Sequence, residues 1–263
     1  MKIGDKHTDF FTQQRGVRQG CSMSPTLFNI YINELAKTLE ESTTPGIPLI
    51  DTEVKCLLFA DDLVLLSPTR EGLQQHLDLL HKFSQTWALT VNLTKTKVMI
   101  FEKRPNLQKH KHKFLLDTTI LDQTKNYTYL GLNISATGNF NQAVNDLRDK
   151  ARRAFYAIKR NIRLDIPIQI WLKILDSVIE PIALYGSEVW GPLANQDFTK
   201  WDKHQTETLH TELCKSILRT QRKTPNNACR AELGRYPLII KIQKIAIKFG
   251  EDMGKLAFLY MHY

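Results

Sequence analysis

Apolar side chains recur at helical spacing first in Phe28, Tyr31, Ile32, Leu35 and Leu39, a pattern that predicts one hydrophobic helix face. Ser24 is expected to cap that helix, with Pro25 in its first turn, where a missing amide hydrogen costs nothing. Residues 9–20 read as a strand end and a turn before it. The segment TTPGIP (43–48) ends it, because Pro and Gly disrupt helical continuation. A second stripe, Leu73, Leu77, Leu80, Phe83 and Trp87, predicts a helix starting at Ser67 or Thr69. Between the two stripes the rhythm changes. Residues 54–60 and 63–66 read as short apolar strands joined at Asp61 and Asp62. The expected form is a hairpin with buried flanks and its tip open to solvent or a ligand. VMIF (98–101), FLL (114–116) and YTYLGLNI (127–134) read as further strands, and KHKHK (109–113) as a solvated loop.

From Asn139 onward the helical rhythm takes over. Phe140, Val144, Leu147, Ala151, Ala154, Phe155, Ile158 and Ile162 line one face of a helix expected over 139–163. Further helices are expected over 167–185, 196–220 and 238–260, with breaks near Pro192, Pro225 and Pro237. No internal repeat is visible. The expected fold class is α+β, with a mixed part over 1–136 and a helical part over 137–263.

Charge sharpens that division. The net charge is +9 over 263 residues. Residues 1–136 hold 16 Lys and Arg against 14 Asp and Glu, whereas 137–263 hold 20 against 13. A basic second half favours polyanionic partners, or else consists of solvated helix faces. The four cysteines, Cys21, Cys56, Cys214 and Cys229, form no CxxC pair. Scattered thiols fit a reducing, intracellular setting, either cytoplasmic or nuclear. No membrane role is expected. The N-terminus lacks an apolar signal region, and YPLIIKIQKIAIKFG is broken by Lys241, Lys244 and Lys248.

The acidic pair inside LLFADDLVLL is the candidate for chemistry. An ionised carboxylate resists leaving water unless something compensates it. An Asp-Asp pair also occurs about once by chance in a chain of this size, and turns favour Asp for its local hydrogen bonds. The pair is therefore either a solvated turn or half of a cation site. Mg²⁺ takes one or two carboxylates together with substrate phosphates, which would relieve the repulsion between neighbours. His110 and His112, two apart in a lysine-rich loop, read as solvated side chains. No Gly-rich phosphate loop is present.

Several segments in order resemble the reverse transcriptases of non-LTR (LINE-type) retrotransposons. They are RGVRQGCSMSPTLFNIY (15–31), FADD (59–62), VNLTKTKVMIF (91–101), YTYLGLNIS (127–135) and TPNNACRAELGRYPL (224–238). The first four resemble successive palm motifs and the last resembles the region after the thumb. The resemblance implies a partial polymerase palm, an antiparallel sheet with packed helices, followed by a helical thumb-like region. It implies an RNA template, a DNA primer and a dNTP as partners, and two Mg²⁺ ions in the complete family site.

By that resemblance Asp61 would ligate the catalytic metals and Asp62 would support it. The chemistry is attack of a primer 3′-hydroxyl on the α-phosphate of a nucleotide, with two metals about 4 Å apart. Gln19 and Gly20 would lie beside nucleotide and template, where a residue without Cβ suits close backbone approach. Arg15 and Arg18 would bind phosphate, or else belong to a surface turn. Lys95 would stabilise the pyrophosphate, or else is an exposed lysine before a strand. Tyr129, Leu130 and Gly131 resemble the primer grip, or else form a core strand with a glycine turn. Arg148, Arg152, Arg153, Lys159 and Arg160, on the thumb-like helix, would track the nucleic-acid backbone without reading sequence. The alternative is a solvated face. Phe155 and Tyr156 read as packing residues.

One family feature is missing. The palm also uses an aspartate from a strand before the RQG motif, set as aromatic, one residue, then Asp. Before Arg15 only Asp5 and Asp9 are available, and Asp9 lies too close to RGVRQG. No fingers region is recognisable. The chain is therefore expected to be the C-terminal part of a longer polymerase, with the N-terminal portion of the same polyprotein as a partner, or else a degraded remnant, and in either case inactive alone. The alternatives are a non-catalytic nucleic-acid-binding module and a helical interaction protein derived from such an element.

Overall fold

The computed structural model describes residues 2–3, 6–7, 16–18, 20–49, 52–103, 113–162, 166–194 and 198–260. They form two compact units, one of Met1–Val98 with Lys111–Asp122, the other of Met99–His110 with Gln123–Tyr263. The class is α+β, with small antiparallel sheets and several helices. The change of unit at Asp122/Gln123 precedes the compositional shift near 136–139, so the hairpin over 126–135 belongs with the helices.

The first unit opens with two short strands, β1 (Lys2–Ile3) and β2 (Lys6–His7), and then helix α1 (Ser24–Glu40). Ser24 does not cap α1. Met23 holds the cap position, and the Ser24 hydroxyl donates to the Arg18 carbonyl at 2.7 Å. The hydroxyl thus ties the preceding turn to the helix rather than closing the helix's own first amides. Two hairpins follow, β3 (Ile47–Leu49) with β4 (Thr52–Val54), and β5 (Cys56–Phe59) with β6 (Asp62–Leu65). Lys55, buried between them, donates to the carbonyls of Glu40 at 3.1 Å and Ser42 at 2.6 Å. It caps the C-terminus of α1, where exposed carbonyls and the helix dipole favour a cation.

Helix α2 (Arg70–Thr86) starts at Thr69, whose Oγ1 accepts from the Gly72 amide at 3.1 Å. Leu77, Leu80 and Phe83 of its stripe are buried, as are Leu35 and Leu39 of α1. Trp87 packs edge-on to Tyr31 at 5.1 Å and stacks on Phe83 at 5.3 Å. A three-stranded sheet in the order β7 (Lys97–Val98), β9 (Thr119–Gln123), β8 (Phe114–Leu116) completes the unit. The strand expected over 98–101 is confined to β7. Gln74 of α2 bonds the edge of β8, donating to the Leu115 carbonyl at 2.9 Å and accepting from its amide at 3.0 Å.

In the second unit YTYLGLNI lies in the hairpin of β10 (Asn126–Tyr129) and β11 (Leu132–Ser135). Helix α3 (Asn141–Asn161) buries Ala143, Val144, Leu147, Ala151 and Phe155. The helix expected over 167–185 runs as α4 (Ile168–Ile174), a π turn (Leu175–Ile179) and α5 (Glu180–Ala183). Pro181 has no amide hydrogen for the next turn, which is a recognised cause of such widening. Helix α6 (Ser187–Ala194), which contains Pro192, and a 3₁₀ turn (Phe198–Lys203) lead to α7 (Gln205–Leu218). The long helix expected over 196–220 is thus split. The short α8 (Asn226–Glu232) and the long α9 (Leu238–Tyr260) follow. Phe155, Leu175, Ile179, Leu209, Leu213 and Cys214 form one core cluster, and Val144, Trp190, Trp201, Leu238 and Ile242 a second. No helix among the described residues is long and apolar enough to cross a membrane.

Candidate functional site

The acidic hairpin has four-residue strands in the register Cys56↔Leu65, Leu57↔Val64, Leu58↔Leu63 and Phe59↔Asp62. Its turn is therefore Ala60–Asp61, and Asp62 is the first residue of β6. Ala60 sits in the left-handed region at φ 50°, unusual for a residue with a Cβ. Both carboxylates stand in water, and neither forms an ion pair with a described residue. Hydration is what compensates a carboxylate pair in an apolar run. The flanks are not buried as the apolar run suggests. Leu57 is 45% and Phe59 61% exposed. Side chains alternate between the two faces of the hairpin, so Leu58 and Leu63 are half-buried on one face while Leu57 and Phe59 lie on the other, which stays open. Cross-strand pairing puts Phe59 and Asp62 on that open face together, with Leu57 and Val64. An apolar floor with a carboxylate at one end suits a substrate that is laid on it.

Arg18 and Gly20 are exposed in the turn before α1. Gly20 has φ 83°, and a Cβ there would meet nothing within 4 Å. Backbone conformation, not crowding, is thus what demands glycine here. The exposed Cys21 thiol has its pKa lowered by the Met23 backbone amide and Ser24 at the helix start. Lys95 is exposed in the turn after α2. Arg15 and Gln19, and likewise His110 and His112, lie outside the described residues. Among the described residues no three His, Cys, Asp or Glu side chains gather as a metal cage. Two hydrated carboxylates still match the way Mg²⁺ is held, through one or two carboxylates plus substrate phosphates.

In the second unit the grip-like hairpin turns at Leu130 and Gly131, with φ 47° and 81°. Two positive values define the turn type that matches strand twist in a two-residue hairpin. Tyr185 donates its hydroxyl to the Leu130 carbonyl at 2.7 Å, and Asn133 donates to Asp146 of α3 at 3.2 Å. The tip is therefore fixed from two sides. The sequence gives no local sign of Tyr185, because it lies 55 residues from its partner.

The basic residues of α3 divide into two sets. Arg152 donates from Nε to both Glu212 oxygens at 3.1 Å and from a second nitrogen at 2.6 Å. Its pKa is raised by the Glu212 carboxylate. Lys159 donates to the Ser216 carbonyl at 3.0 Å and hydroxyl at 2.7 Å. Both side chains hold α7. Arg148 pairs with Asp149 at 2.9 Å, and this neighbour lowers the Asp149 pKa. Arg153 and Arg160 are exposed, and Lys150 is exposed on the same side. Phe155 is buried in the core and Tyr156 lies edge-on to it, 5.3 Å away.

Comparison with known proteins fits this geometry. The family described as reverse transcriptase (RNA-dependent DNA polymerase) matches residues 2–134. The chain is 23% identical over 208 residues to the RNA-directed DNA polymerase from mobile element jockey of Drosophila melanogaster, covering 74% of this chain and 21% of that protein. It is 30% identical over 197 residues to the Pol polyprotein from the type-1 retrotransposable element R2 of Nasonia vitripennis, covering 72% and 18%. A probable RNA-directed DNA polymerase from transposon BS of Drosophila melanogaster is 25% identical over 197 residues, covering 70% and 21%. The chain spans about a fifth of the length of these relatives. With half its length matched by the family, and the acidic hairpin and glycine-containing turn inside that half, this chain belongs to the reverse transcriptase family, of the kind found in retrotransposable elements.

Proposed function

We propose that the chain supplies the carboxylate hairpin, the grip hairpin and the thumb-like helix of an RNA-directed DNA polymerase. The observation that carries this is the pair of hydrated carboxylates, Asp61 and Asp62, at the end of an open apolar sheet face within the family-matched region. Bound divalent metal, Mg²⁺ in this reading, supplies charge neutralisation at the phosphates and a more acidic primer hydroxyl. Asp61, on the turn, holds metal, and Asp62 supports it from the first position of β6. Leu57 and Phe59 give the primer end an apolar floor. Arg18 and Gly20 face nucleotide and template, and Lys95 offsets charge on the departing pyrophosphate. Gly131 and Leu130 steady the primer through their backbone. Lys150, Arg153 and Arg160 follow phosphates, while Arg152 and Lys159 hold the helix in place. The substrates are an RNA template, a DNA primer and dNTPs, handled inside the cell.

Primer extension on an RNA template with Mg²⁺ tests the reading in the chain joined to the N-terminal portion of its polyprotein. The chain alone, without a further metal-binding aspartate before the RQG motif, is expected to add no nucleotide. Template–primer binding is measured alongside. Nucleotide addition that falls about a hundredfold or more in Asp61→Ala, with binding retained, supports it. Addition at an undiminished rate in Asp61→Ala overturns the assignment of the hairpin. Salt-sensitive binding without any addition even in the joined protein identifies the chain as a non-catalytic nucleic-acid-binding module, a reading that the exposed cations of α3 favour.

A further inference from the structure

A cavity of about 390 Å³ opens where α8 turns into α9, lined by Asn227, Arg230, Ala231, Arg235, Tyr236 and Pro237. The loop carrying it is anchored on both sides. Arg230 donates to Asp202 at 3.1 Å, to the fully buried Glu207 and to Asn227. Arg235 donates to the two Asp176 oxygens at 2.9 and 3.0 Å and to Glu180, which is 4% exposed. Between these two anchors Tyr236 is 77% exposed. A ring so far out of the core adds nothing to packing, yet the loop presenting it is fixed by four carboxylates.

The chemistry of the cavity limits what fits. The terminal nitrogens of Arg230 are turned to Asp202, Glu207 and Asn227 and those of Arg235 to Asp176 and Glu180, and the two side chains are only 7% and 13% exposed, so neither is placed to clamp a phosphate or a carboxylate ligand. What remains for a ligand is flat surface, the face of the exposed tyrosine ring. A planar, apolar-faced group is the match. The surroundings add a second constraint. Residues 219–248 carry eight lysines and arginines against one glutamate, and of the eight Arg230, Arg235 and Lys241 are paired with carboxylates outside the stretch. Lys223, Lys244 and Lys248 are exposed. A planar group attached to a polyanion is an unpaired base of a nucleic-acid strand.

We propose that Tyr236 is a stacking platform for an unpaired nucleobase, with the neighbouring cations following the phosphates of the same strand. This site rests on the reading of the chain as a nucleic-acid-binding protein but is separate from the acidic hairpin. The purified chain is tested by fluorescence anisotropy with a labelled single-stranded oligonucleotide, the same strand carrying abasic positions, and a blunt duplex. Tyr236→Ala is expected to lose roughly five- to 150-fold in affinity for the single strand, as alanine does at stacking aromatics. Tyr236→Phe keeps it, because stacking needs the ring and not the hydroxyl. Duplex affinity and the salt slope stay unchanged in both variants. Abasic positions weaken binding to the wild type and make no difference to Tyr236→Ala. Single-strand affinity unaltered in Tyr236→Ala overturns the proposal and leaves the surface to another partner, such as an acidic peptide. If the wild type binds neither single strand nor duplex, the nucleic-acid reading itself falls, a result distinct from failure at Tyr236 alone.

Discussion

Carboxylates are used in opposite ways in the two units. In the first, Asp61 and Asp62 stand in water at a hairpin tip without an ion pair to a described residue. In the second, Glu207 is fully buried between Arg230, the Trp201 indole at 3.2 Å, the Leu238 amide at 2.8 Å and His210, whose Nδ1 lies at 3.5 Å. Glu180 is likewise buried between Arg235 and Lys241. A carboxylate whose acceptor sites are filled by the protein is architecture. One whose sites are filled by water can exchange that water for a cation or a substrate. The same side-chain chemistry thus separates scaffold from site according to what surrounds it.

Removing one charge from each setting tests the contrast. Glu207→Gln leaves the protonated His210 buried without its carboxylate and Arg230 with only Asp202 and Asn227, and should destabilise the chain by about 3–5 kcal/mol in urea unfolding. Asp61→Ala should change the same measurement by less than about 0.5 kcal/mol, since a hydrated turn residue supports nothing. Its effect belongs to chemistry instead, a loss of about a hundred- to a thousandfold in nucleotide addition once the N-terminal portion of the polyprotein is joined to the chain. A large stability loss in Asp61→Ala would break the comparison, because it would make the hairpin tip structural.

The pH dependence sharpens it further. Burial alone pushes the His210 pKa down, but Cys214 and the Glu207 carboxylate outweigh it and raise it to about 9. A folded value above the unfolded one means stability that is fully present below about pH 6.5 and lost as pH rises through about 9. The loss between about pH 6 and about pH 10 should approach 3 kcal/mol and should shrink in His210→Gln. Glu207 shifts the other way. Burial raises it, yet His210, the Leu238 amide and Arg230 together bring it below the usual carboxylate value. Its contribution is lost at acid pH, as pH falls through that lowered value. Both branches belong to the second unit's buried cluster.

The sequence makes some of this legible and not the rest, for physical reasons. The stripes of α1, α2 and α3 are readable because burial acts at a fixed helical period, and Leu35, Leu77 and Phe155 are buried as that period requires. The acidic tip is readable because two carboxylates interrupt an apolar run. The open face beside it is not, since a run of apolar residues looks the same whether one or both sheet faces pack. Lys55 and Tyr185 do their work through backbone carbonyls far along the chain, and no local pattern marks them. The Glu207–Arg230 pair joins residues 23 apart on different helices, so its charges read only as surface. Helix 168–183 carries a π turn because Pro181 sits in a stretch whose packing still demands a helix.

The smallest expected effects concern cations, where the same distinction between committed and uncommitted groups applies. Charge alone makes Arg152, Arg153 and Arg160 of α3 equivalent, but only Arg152 is paired across to α7, through Glu212. Replacing a phosphate-contacting cation lowers the slope of log affinity against log salt by about 0.9 on duplex and about 0.7 on single strand. Arg153→Ala and Arg160→Ala should each lower it by an amount of that order and leave unfolding unchanged. Arg152→Ala should leave the slope where it is and lower stability by about 1 kcal/mol or less, since that pair is partly exposed. An equal drop in slope for all three would mean that the Arg152–Glu212 pair opens when nucleic acid binds. The helix would then act as one undivided basic face, and commitment within the free chain would not predict which groups meet the substrate.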